Sequence, residues 1–178
     1  MRARLFSCVA LALAACGDDP APRAVPDAAP ARSADAASLP RADCSSRSEA
    51  GFPGAFTDPS NLVAGPFVLV GGGELTPPSV VREYGGNKFP ALVKRGDQVT
   101  VRVRQPGTRL AYGPLPEGEI TLDEAHRAVV FEACRKGTEY TFWSGFVLAR
   151  KPMCVRLTVH ARGERKVRQA ELPLGRPC

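Results

Sequence analysis

Two segments of the sequence alternate apolar and polar residues with a period of two. Residues 99–104 read Val-Thr-Val-Arg-Val-Arg, and residues 155–160 read Val-Arg-Leu-Thr-Val-His. Because successive side chains of a β-strand point to opposite faces of a sheet, each alternation predicts a strand with one face in a core and the other in solvent. The chain also contains 17 Gly and 17 Pro. These residues interrupt helices, and a helical bundle tolerates far fewer of them.

Six less regular apolar segments bring the prediction to about eight strands. They lie at residues 66–70, 89–94, 108–112, 127–133, 140–148 and 165–172. Turn-forming residues at 95–97 and 161–164 predict two hairpins, and only the short segments 77–84 and 122–126 are candidates for helices. Many short strands joined by Gly/Pro turns are typical of a sandwich or barrel. The predicted fold class is all-β: an antiparallel β-sandwich, immunoglobulin-like or related, linked by disulfides.

The start of the chain has the charge order of an export signal. Two arginines precede a nine-residue apolar run at 5–13, which contains Cys8 and is too short to cross a bilayer as a helix. The sequence Leu-Ala-Ala-Cys that ends at Cys16 resembles the bacterial lipobox. This resemblance implies a signal peptide at 1–15, cleavage before Cys16, a diacylglyceryl group on the Cys16 sulfur and often an acyl chain such as palmitate on the new amine. The alternative is an ordinary secretory signal that is cut nearby and leaves Cys16 unmodified.

The next segment differs sharply from the rest of the chain in composition. Residues 17–43 contain nine Ala and five Pro and no aromatic residue, so they bury too little apolar surface to offset the cost of ordering the chain. The competing interpretation is an Ala-rich helix, which the prolines would interrupt repeatedly. Residues 16–43 are therefore predicted to be a lipidated cysteine followed by a disordered tether, and residues 44–178 to be the β-sandwich domain.

Four cysteines fall in the predicted domain: Cys44, Cys134, Cys154 and Cys178. An even number of cysteines in an exported chain predicts two disulfides. A hairpin of the last two strands would bring Cys154 close to Cys178, which favours that pair and leaves Cys44 with Cys134. The two other pairings stay open, because residues 150–153 could loop back. No Cys-x-x-Cys or Cys-x-x-His spacing supports a metal site, and no cofactor is predicted.

Several short motifs are spread over residues 44–178. They are Phe-Glu-Ala-Cys at 131–134, Trp-Ser-Gly-Phe-Val at 143–147, Pro-Met-Cys-Val-Arg-Leu-Thr-Val at 152–159, Leu-Gly-Arg-Pro-Cys at 174–178, Gly-Pro-Phe at 65–67 and the segment 92–101. Together they resemble a family of uncharacterised exported bacterial proteins. The resemblance implies a single secreted or lipid-anchored β domain, and it carries no activity, substrate or catalytic residue.

Two features of the domain have a chemical and a structural interpretation. The triple glycine at 71–73 lacks the Lys-Ser/Thr of a phosphate-binding loop and is more typical of a strand exit. Trp143 lies between two cysteines in sequence, and we expect it in the core of a sandwich rather than stacked on a ligand.

Two groups of side chains would support an enzyme if the fold brought them together. Asp123, Glu124 and His126 could hold a cation weakly, although a solvated turn is the better expectation. Ser144 could act with His160, but Phe142 replaces the preceding Gly of a nucleophile elbow. The domain is therefore not expected to be an enzyme, and an envelope-associated hydrolase is the alternative.

The net charge is concentrated near the C-terminus. From Arg150 onward the sequence has eight basic and two acidic residues, an excess of six that equals the net charge of the whole chain. One hypothesis is a basic patch on the final hairpin that binds an anionic envelope partner. Its candidate residues are Arg156, Arg162, Arg165, Lys166 and Arg168. The slightly favoured interpretation is a solvated face whose charges also guard an edge strand.

These observations predict a lipid-anchored protein on the extracytoplasmic face of the cell membrane. Its β-sandwich would act as a binding or structural module, held to the membrane through the lipid anchor. Nucleic acid is not expected as a partner, because aromatic residues do not interleave with the basic ones. A further alternative is an accessory subunit of an envelope complex, which an exposed cluster of Phe52, Phe56 and Phe89 would favour.

Overall fold

The computed structural model describes residues 39–113 and 120–178. The predicted signal peptide, Cys16 and most of the predicted tether lie outside the described residues. The strands in the described part are β1 (Arg41–Ala42), β2 (Leu62–Ala64), β3 (Phe67–Leu69), β4 (Gly86–Lys88), β5 (Ala91–Lys94), β6 (Gln98–Val103), β7 (Thr108–Ala111), β8 (Ala128–Glu132), β9 (Tyr140–Trp143), β10 (Phe146–Ala149), β11 (Met153–Ala161) and β12 (Arg168–Leu174). One α-helix, α1 (Pro78–Tyr84), and a 3₁₀ turn at Cys44–Ser46 accompany them. Within these described ranges, no helix combines the length and apolarity needed to cross a membrane.

The strands form three sheets that enclose one main core. A five-stranded sheet has the order β1-β8-β6-β11-β12, a four-stranded sheet the order β2-β3-β5-β9, and a three-stranded sheet the order β4-β10-β7. Every pairing between these strands is antiparallel except the short parallel contact of β1 with β8. Buried side chains from all three sheets meet in one main apolar cluster. Two smaller clusters include Val68 and Leu92 of the four-stranded sheet, and Ala111 and Leu148 of the three-stranded sheet. The prediction of an all-β, disulfide-linked sandwich is confirmed.

The two alternating segments lie side by side at the centre of the five-stranded sheet. Val101 of β6 is directly opposite Val159 of β11, and both side chains are buried in the core. Phe131 of β8 then joins this sheet to the rest of the sandwich. Its ring lies 5.5 Å from that of Phe67 and 5.4 Å from that of Trp143, which belong to the four-stranded sheet. Trp143 is therefore a core residue, as the sequence predicted.

Two of the predicted turns have different outcomes. The segment at 161–164 joins β11 to β12, which pair antiparallel from Val159 opposite Arg168, so this hairpin is confirmed. The predicted hairpin at 95–97 is wrong. Strand β5 pairs with β3 and β9, whereas β6 pairs with β8 and β11, so the turn carries the chain from one sheet to another.

The predicted strand at 140–148 is two strands, because it bends at Ser144 and Gly145 to leave one sheet and enter another. Only glycine fits at the bend: a Cβ on Gly145 would overlap the ring of Tyr112 and lie 2.6 Å from the carbonyl oxygen of Ala111. Tyr112 is fully buried there, and its hydroxyl donates a hydrogen bond to the Phe89 carbonyl at 2.7 Å. Burial raises the pKa of this hydroxyl far above its ordinary value, so it stays protonated as a donor.

Of the two helix candidates, only one is a helix. Segment 77–84 forms α1, which begins with Pro78 in its first turn and ends at Gly85 in the left-handed conformation. Segment 122–126 is irregular, and the helix prediction there is wrong. Instead, Leu122 and Ala125 pack on the outer face of the three-stranded sheet, against Ala111 and Leu148.

The folded domain begins a few residues earlier than the sequence predicted. Arg41 and Ala42, which the prediction assigned to the tether, form β1 beside Val130 and Phe131. The amide of Val130 donates to the Pro40 carbonyl at 2.9 Å, and Ala42 is completely buried. A strand of two residues is too short to show a periodic pattern. The prediction therefore followed composition and assigned these residues to the Ala/Pro-rich segment.

Both disulfides in the described residues have the pairing that the hairpin argument favoured. Cys44 is bonded to Cys134 and Cys154 to Cys178, with Cα–Cα distances of 5.1 and 5.0 Å. The first bridge ties the segment after β1 to the end of β8. The second ties the start of β11 to the C-terminus. The two bridges therefore lie at opposite ends of the five-stranded sheet.

Candidate functional site

The residues of the predicted basic patch do not share one surface. Arg156 lies on the outer face of β11, where its Nε is 3.6 Å from a carboxylate oxygen of Glu171 on the neighbouring strand. Arg168 lies on the opposite face, since it is four and six residues before Leu172 and Leu174 and shares their core-facing side of β12. Arg156 and Arg168 are therefore on opposite faces of the sheet, so the predicted patch is not one continuous surface.

Arg168 has a structural position at the edge of the sandwich. Its guanidinium forms two hydrogen bonds with the carboxylate of Glu164. It also covers the turn between β2 and β3, because a Cβ on Gly65 would lie only 2.7 Å from the Cζ of Arg168. This side chain is consequently occupied within the domain and is not available to an anionic partner.

The three other patch residues, Arg162, Arg165 and Lys166, are exposed in and after the hairpin turn. Arg162 donates a hydrogen bond to the side-chain oxygen of Gln98 at 3.1 Å. The hairpin thus keeps a small exposed group of three cations. Its remaining charge is balanced by Glu164 and Glu171.

The Glu164–Arg168 pair has a consequence that titration can measure. Hydrogen bonds from the Arg168 guanidinium lower the pKa of Glu164 below its ordinary value. A carboxylate whose folded pKa is depressed stabilises the fold above its unfolded pKa, and that contribution is lost as the pH falls through the folded pKa. In Arg168→Gln, the Glu164 pKa followed by carbon NMR is expected to rise towards its ordinary value.

Arg165→Gln is the matched control for that titration. Arg165 is exposed and is one residue from Glu164 in sequence, but within the described residues it forms no ion pair with that carboxylate. The control should leave the Glu164 pKa unchanged. A Glu164 pKa that is the same in Arg168→Gln and in the unaltered protein would contradict the assignment of Arg168 as its partner.

Asp123, Glu124 and His126 do not assemble a cation site. The Glu124 carboxylate accepts hydrogen bonds from the Thr121 hydroxyl at 2.7 Å and from the Thr121 amide at 3.0 Å, which lower its pKa. His126 is paired through its backbone with Leu110. Within the described ranges, the one group of potential ligand atoms at coordinating distance comprises Cys154, Glu171 and Cys178. Its two sulfurs are already joined in a disulfide.

Ser144 and His160 have separate surroundings. The Ser144 amide donates to the Ser48 hydroxyl at 3.2 Å, at the corner between β9 and β10. His160 lies near the end of β11, where its Nε2 is 2.8 Å from the Glu164 carbonyl oxygen. The two residues share neither a strand nor a hydrogen-bond partner, so the structure does not assemble them as a nucleophile and base.

The triple glycine uses its amides within the fold. The Gly71 amide donates to the side-chain oxygen of Asn61 at 2.7 Å. The amides of Gly72 and Gly73 donate to the carbonyls of Leu69 and Ser60 at 3.1 and 2.8 Å. A phosphate-binding loop needs these donors to face a ligand. The segment is a turn that leaves β3.

The three phenylalanines that would have favoured an accessory subunit do not form an exposed cluster. Phe89 is in the core. Phe52 packs edge-to-face on Phe142 with a centroid distance of 5.0 Å, and Phe56 lies 6.3 Å from the ring of Tyr140. Phe52 and Phe56 thereby cover the outer face of the four-stranded sheet. The accessory-subunit alternative loses the observation on which it depended.

The structure instead brings four cations together at a place that the sequence did not reveal. A cleft of about 520 Å³ opens at the end of the sandwich where β6 ends and β11 begins. Its charged lining consists of Arg109, Arg127, Arg150, Lys151 and Asp123, and its apolar lining of Pro106, Leu122 and Met153, with Gly107 between them. We name this the basic cleft. Its residues come from separate parts of the sequence, so a local charge count could detect only the adjacent pair Arg150-Lys151.

Comparison with known proteins does not assign the chain to a family. The sequence matches no protein-family model, and no curated protein is significantly similar to it.

Proposed function

We propose that this chain is an exported protein, anchored through acyl chains on Cys16, whose β-sandwich is a binding or structural module on the outer face of the cell membrane. The observation that carries the proposal is the pair of disulfides, Cys44–Cys134 and Cys154–Cys178. Stable disulfides form in oxidising compartments and are rare in the cytoplasm. A domain closed by two of them therefore supports export.

The distribution of cysteines gives the proposal a second support. The chain has six cysteines, and the two outside the domain are Cys8 and Cys16. Cys8 lies inside the apolar run and would be removed with the signal peptide. Cys16 follows Leu-Ala-Ala and would become the first residue of the mature chain. Two or more acyl chains on that residue hold a protein on a membrane stably, whereas a single chain does not.

The Ala/Pro-rich segment fits the role of a spacer in this arrangement. It would separate the acylated cysteine from β1, whose first residue is Arg41. Proline-rich segments of this composition act as extended spacers of about 3 Å per residue. The domain would then stand off the membrane and expose its surfaces to other envelope components. No catalytic role is proposed, because the described residues do not bring together either predicted catalytic group.

Detergent phase partitioning after expression in a bacterial host tests the anchor. The unaltered protein is expected in the detergent phase, because its acyl chains partition into micelles. Cys16→Ser is expected in the aqueous phase or to remain unprocessed and unlabelled by radioactive palmitate. Cys8→Ser is the matched control: it removes the other leader cysteine and should still be labelled and partition into detergent.

Two results would contradict the proposed anchor. One is palmitate labelling that persists in Cys16→Ser, because the label would then be on another residue. The other is an unaltered protein that is exported and processed but carries no label. In that case the ordinary secretory signal would be the correct interpretation, and the domain would be released rather than anchored.

A further inference from the structure

We propose that the basic cleft is a binding site for a phosphate group, carried either by a lipid headgroup or by a soluble phosphate ester. The proposal concerns the ligand of the domain and does not require the acyl anchor. A secreted, unlipidated protein that bound phosphate through this cleft would still support it.

The basic cleft is distinguished by the four cations that line it together. Like most other cations of the described residues they form no ion pair, and the Arg109 guanidinium donates a hydrogen bond to the Thr108 carbonyl at 2.9 Å. The ion pairs of the described residues are Arg41–Glu132, Arg47–Glu49, Arg156–Glu171 and Arg168–Glu164. Within the same described residues, none of Arg109, Arg127, Arg150 and Lys151 has a carboxylate oxygen within 4 Å. Asp123 is the one carboxylate of the described residues that lines the cleft. Four cations against one anion repel each other, and a bound anion relieves that repulsion.

The two walls of the basic cleft are held together by Gln105. Its side-chain amide donates to the Cys154 carbonyl at 2.8 Å, and its side-chain oxygen accepts a hydrogen bond from the Arg156 amide at 2.6 Å. These bonds fix the turn before β7 to the start of β11. The Cys154–Cys178 disulfide anchors the same point from the other side. The backbone around the cleft is therefore fixed before a ligand binds, and the cationic side chains are what a ligand would have to order.

The pairing of β7 with β10 places Arg109 and Arg150 on the same face, and both line the cleft. Arg109 is opposite Leu148 in that pair, and the Arg150 amide donates to the Gly107 carbonyl at 3.0 Å. The side chain of Arg150 lies across Gly107, since a Cβ there would be 3.4 Å from its Cγ and Cδ. Arg127 lies just before β8, which pairs with β6, and its carbonyl accepts a hydrogen bond from the Val103 amide at 2.9 Å.

The composition of the cleft favours phosphate over a single carboxylate. Three of its four cations are arginines, whose planar guanidinium groups match the oxygens of phosphate in a bidentate geometry. A phosphate monoester offers up to two negative charges and three acceptor oxygens, whereas a carboxylate offers one charge and two oxygens. The apolar side chains of Pro106, Leu122 and Met153 provide a surface for the organic part of such an ester.

Calorimetric titration of the processed protein in non-ionic detergent tests the proposal with two probes. Glycerol 3-phosphate represents a soluble phosphate monoester, and dihexanoylphosphatidic acid represents a lipid headgroup that is also a phosphate monoester. The cleft variant is Arg127→Gln/Arg150→Gln/Lys151→Gln. The matched control is Arg162→Gln/Arg165→Gln/Lys166→Gln, which also removes two arginines and one lysine at exposed positions but lies on the final hairpin.

At least one probe is expected to bind the unaltered protein at low ionic strength and to weaken as salt is added. The cleft variant should lose about tenfold or more in affinity, because each charge-assisted bond to the ligand contributes to binding. The hairpin control should lose much less. Binding of the lipid probe alone would assign the phosphate to a headgroup, and binding of glycerol 3-phosphate would assign it to a soluble ester.

The proposal is overturned if neither probe binds at low salt, or if the hairpin control weakens binding as much as the cleft variant. The second outcome would show that only the net charge matters. Thermal unfolding of both variants checks that they remain folded. If the cleft variant is unfolded, Lys151→Gln compared with Lys166→Gln makes the same test with one exposed lysine on each surface.

Discussion

Trp143→Ala is expected to lower the free energy of unfolding by about 3–5 kcal/mol, the range for removing a large aromatic side chain from a core. Trp143 is 1% exposed, and its ring packs edge-to-face on Phe131 with a centroid distance of 5.4 Å. The contact joins the four-stranded and five-stranded sheets. The indole N–H also donates to the Asp43 carbonyl at 2.9 Å. The substitution would leave a cavity between the sheets and remove the indole donor from the Asp43 carbonyl, which also accepts from Ser46.

Urea unfolding followed by circular dichroism measures this effect, since the chain has a single tryptophan and the variant loses its fluorescence. Trp143→Phe is the graded control. It keeps an aromatic ring against Phe131 but removes the hydrogen bond to Asp43, so it should lose less stability than Trp143→Ala. Equal stability of Trp143→Ala and the unaltered protein would contradict the placement of this ring at the centre of the core.

Removing the Cys44–Cys134 disulfide is expected to cost more than removing Cys154–Cys178. The cysteines of the first bridge are separated by 90 residues and those of the second by 24. In the chain-entropy treatment of a cross-link, these loops correspond to about 4.6 and about 3.4 kcal/mol of stability. Losing the first bridge should also free the segment that contains β1, which is held to β8 by few backbone bonds.

The double variants Cys44→Ser/Cys134→Ser and Cys154→Ser/Cys178→Ser isolate the two effects, because each removes one bridge and leaves no unpaired domain cysteine. Their urea midpoints and slopes should rank the first variant as the less stable. The opposite order would contradict the expectation that the longer closed loop dominates. Amide hydrogen exchange at Ala42, Val130 and Phe131 should rise in the first variant only.

The local pattern of the sequence was sufficient for the centre of the fold. The alternation at 99–104 and 155–160 predicted β6 and β11, and their valines do face the core. The turn residues at 161–164 predicted the hairpin that follows β11. That hairpin in turn favoured the pairing of Cys154 with Cys178. These features depend on neighbours in sequence, so period and turn chemistry were enough to find them.

Features that depend on distant pairing were missed. The turn at 95–97 has the chemistry of a hairpin turn, but β5 and β6 find partners elsewhere in the chain. The break at Gly145 exists because Tyr112 occupies the space beside it, which no local pattern contains. Strands β1, β2 and β4 have two or three residues each and are too short for any periodicity to show.

The position of the basic surface also could not be predicted from the sequence. Counting cations placed the basic surface on the final hairpin, where Arg156 and Arg168 are in fact paired with acidic residues on opposite faces. The basic cleft gathers Arg109, Arg127 and Arg150 from three separate segments. Net charge along a chain therefore indicated that the domain is basic, whereas strand pairing decided which cations line one cleft.

Intact mass spectrometry of the protein isolated from the bacterial envelope, with thiol alkylation before and after reduction, checks the proposed anchor and the disulfides together. The expected mature chain begins at Cys16 and carries acyl chains. Cys44, Cys134, Cys154 and Cys178 are expected to be alkylated only after reduction. A mature chain without acyl groups, or domain cysteines that are alkylated before reduction, would contradict the proposed anchor or the disulfide-linked fold.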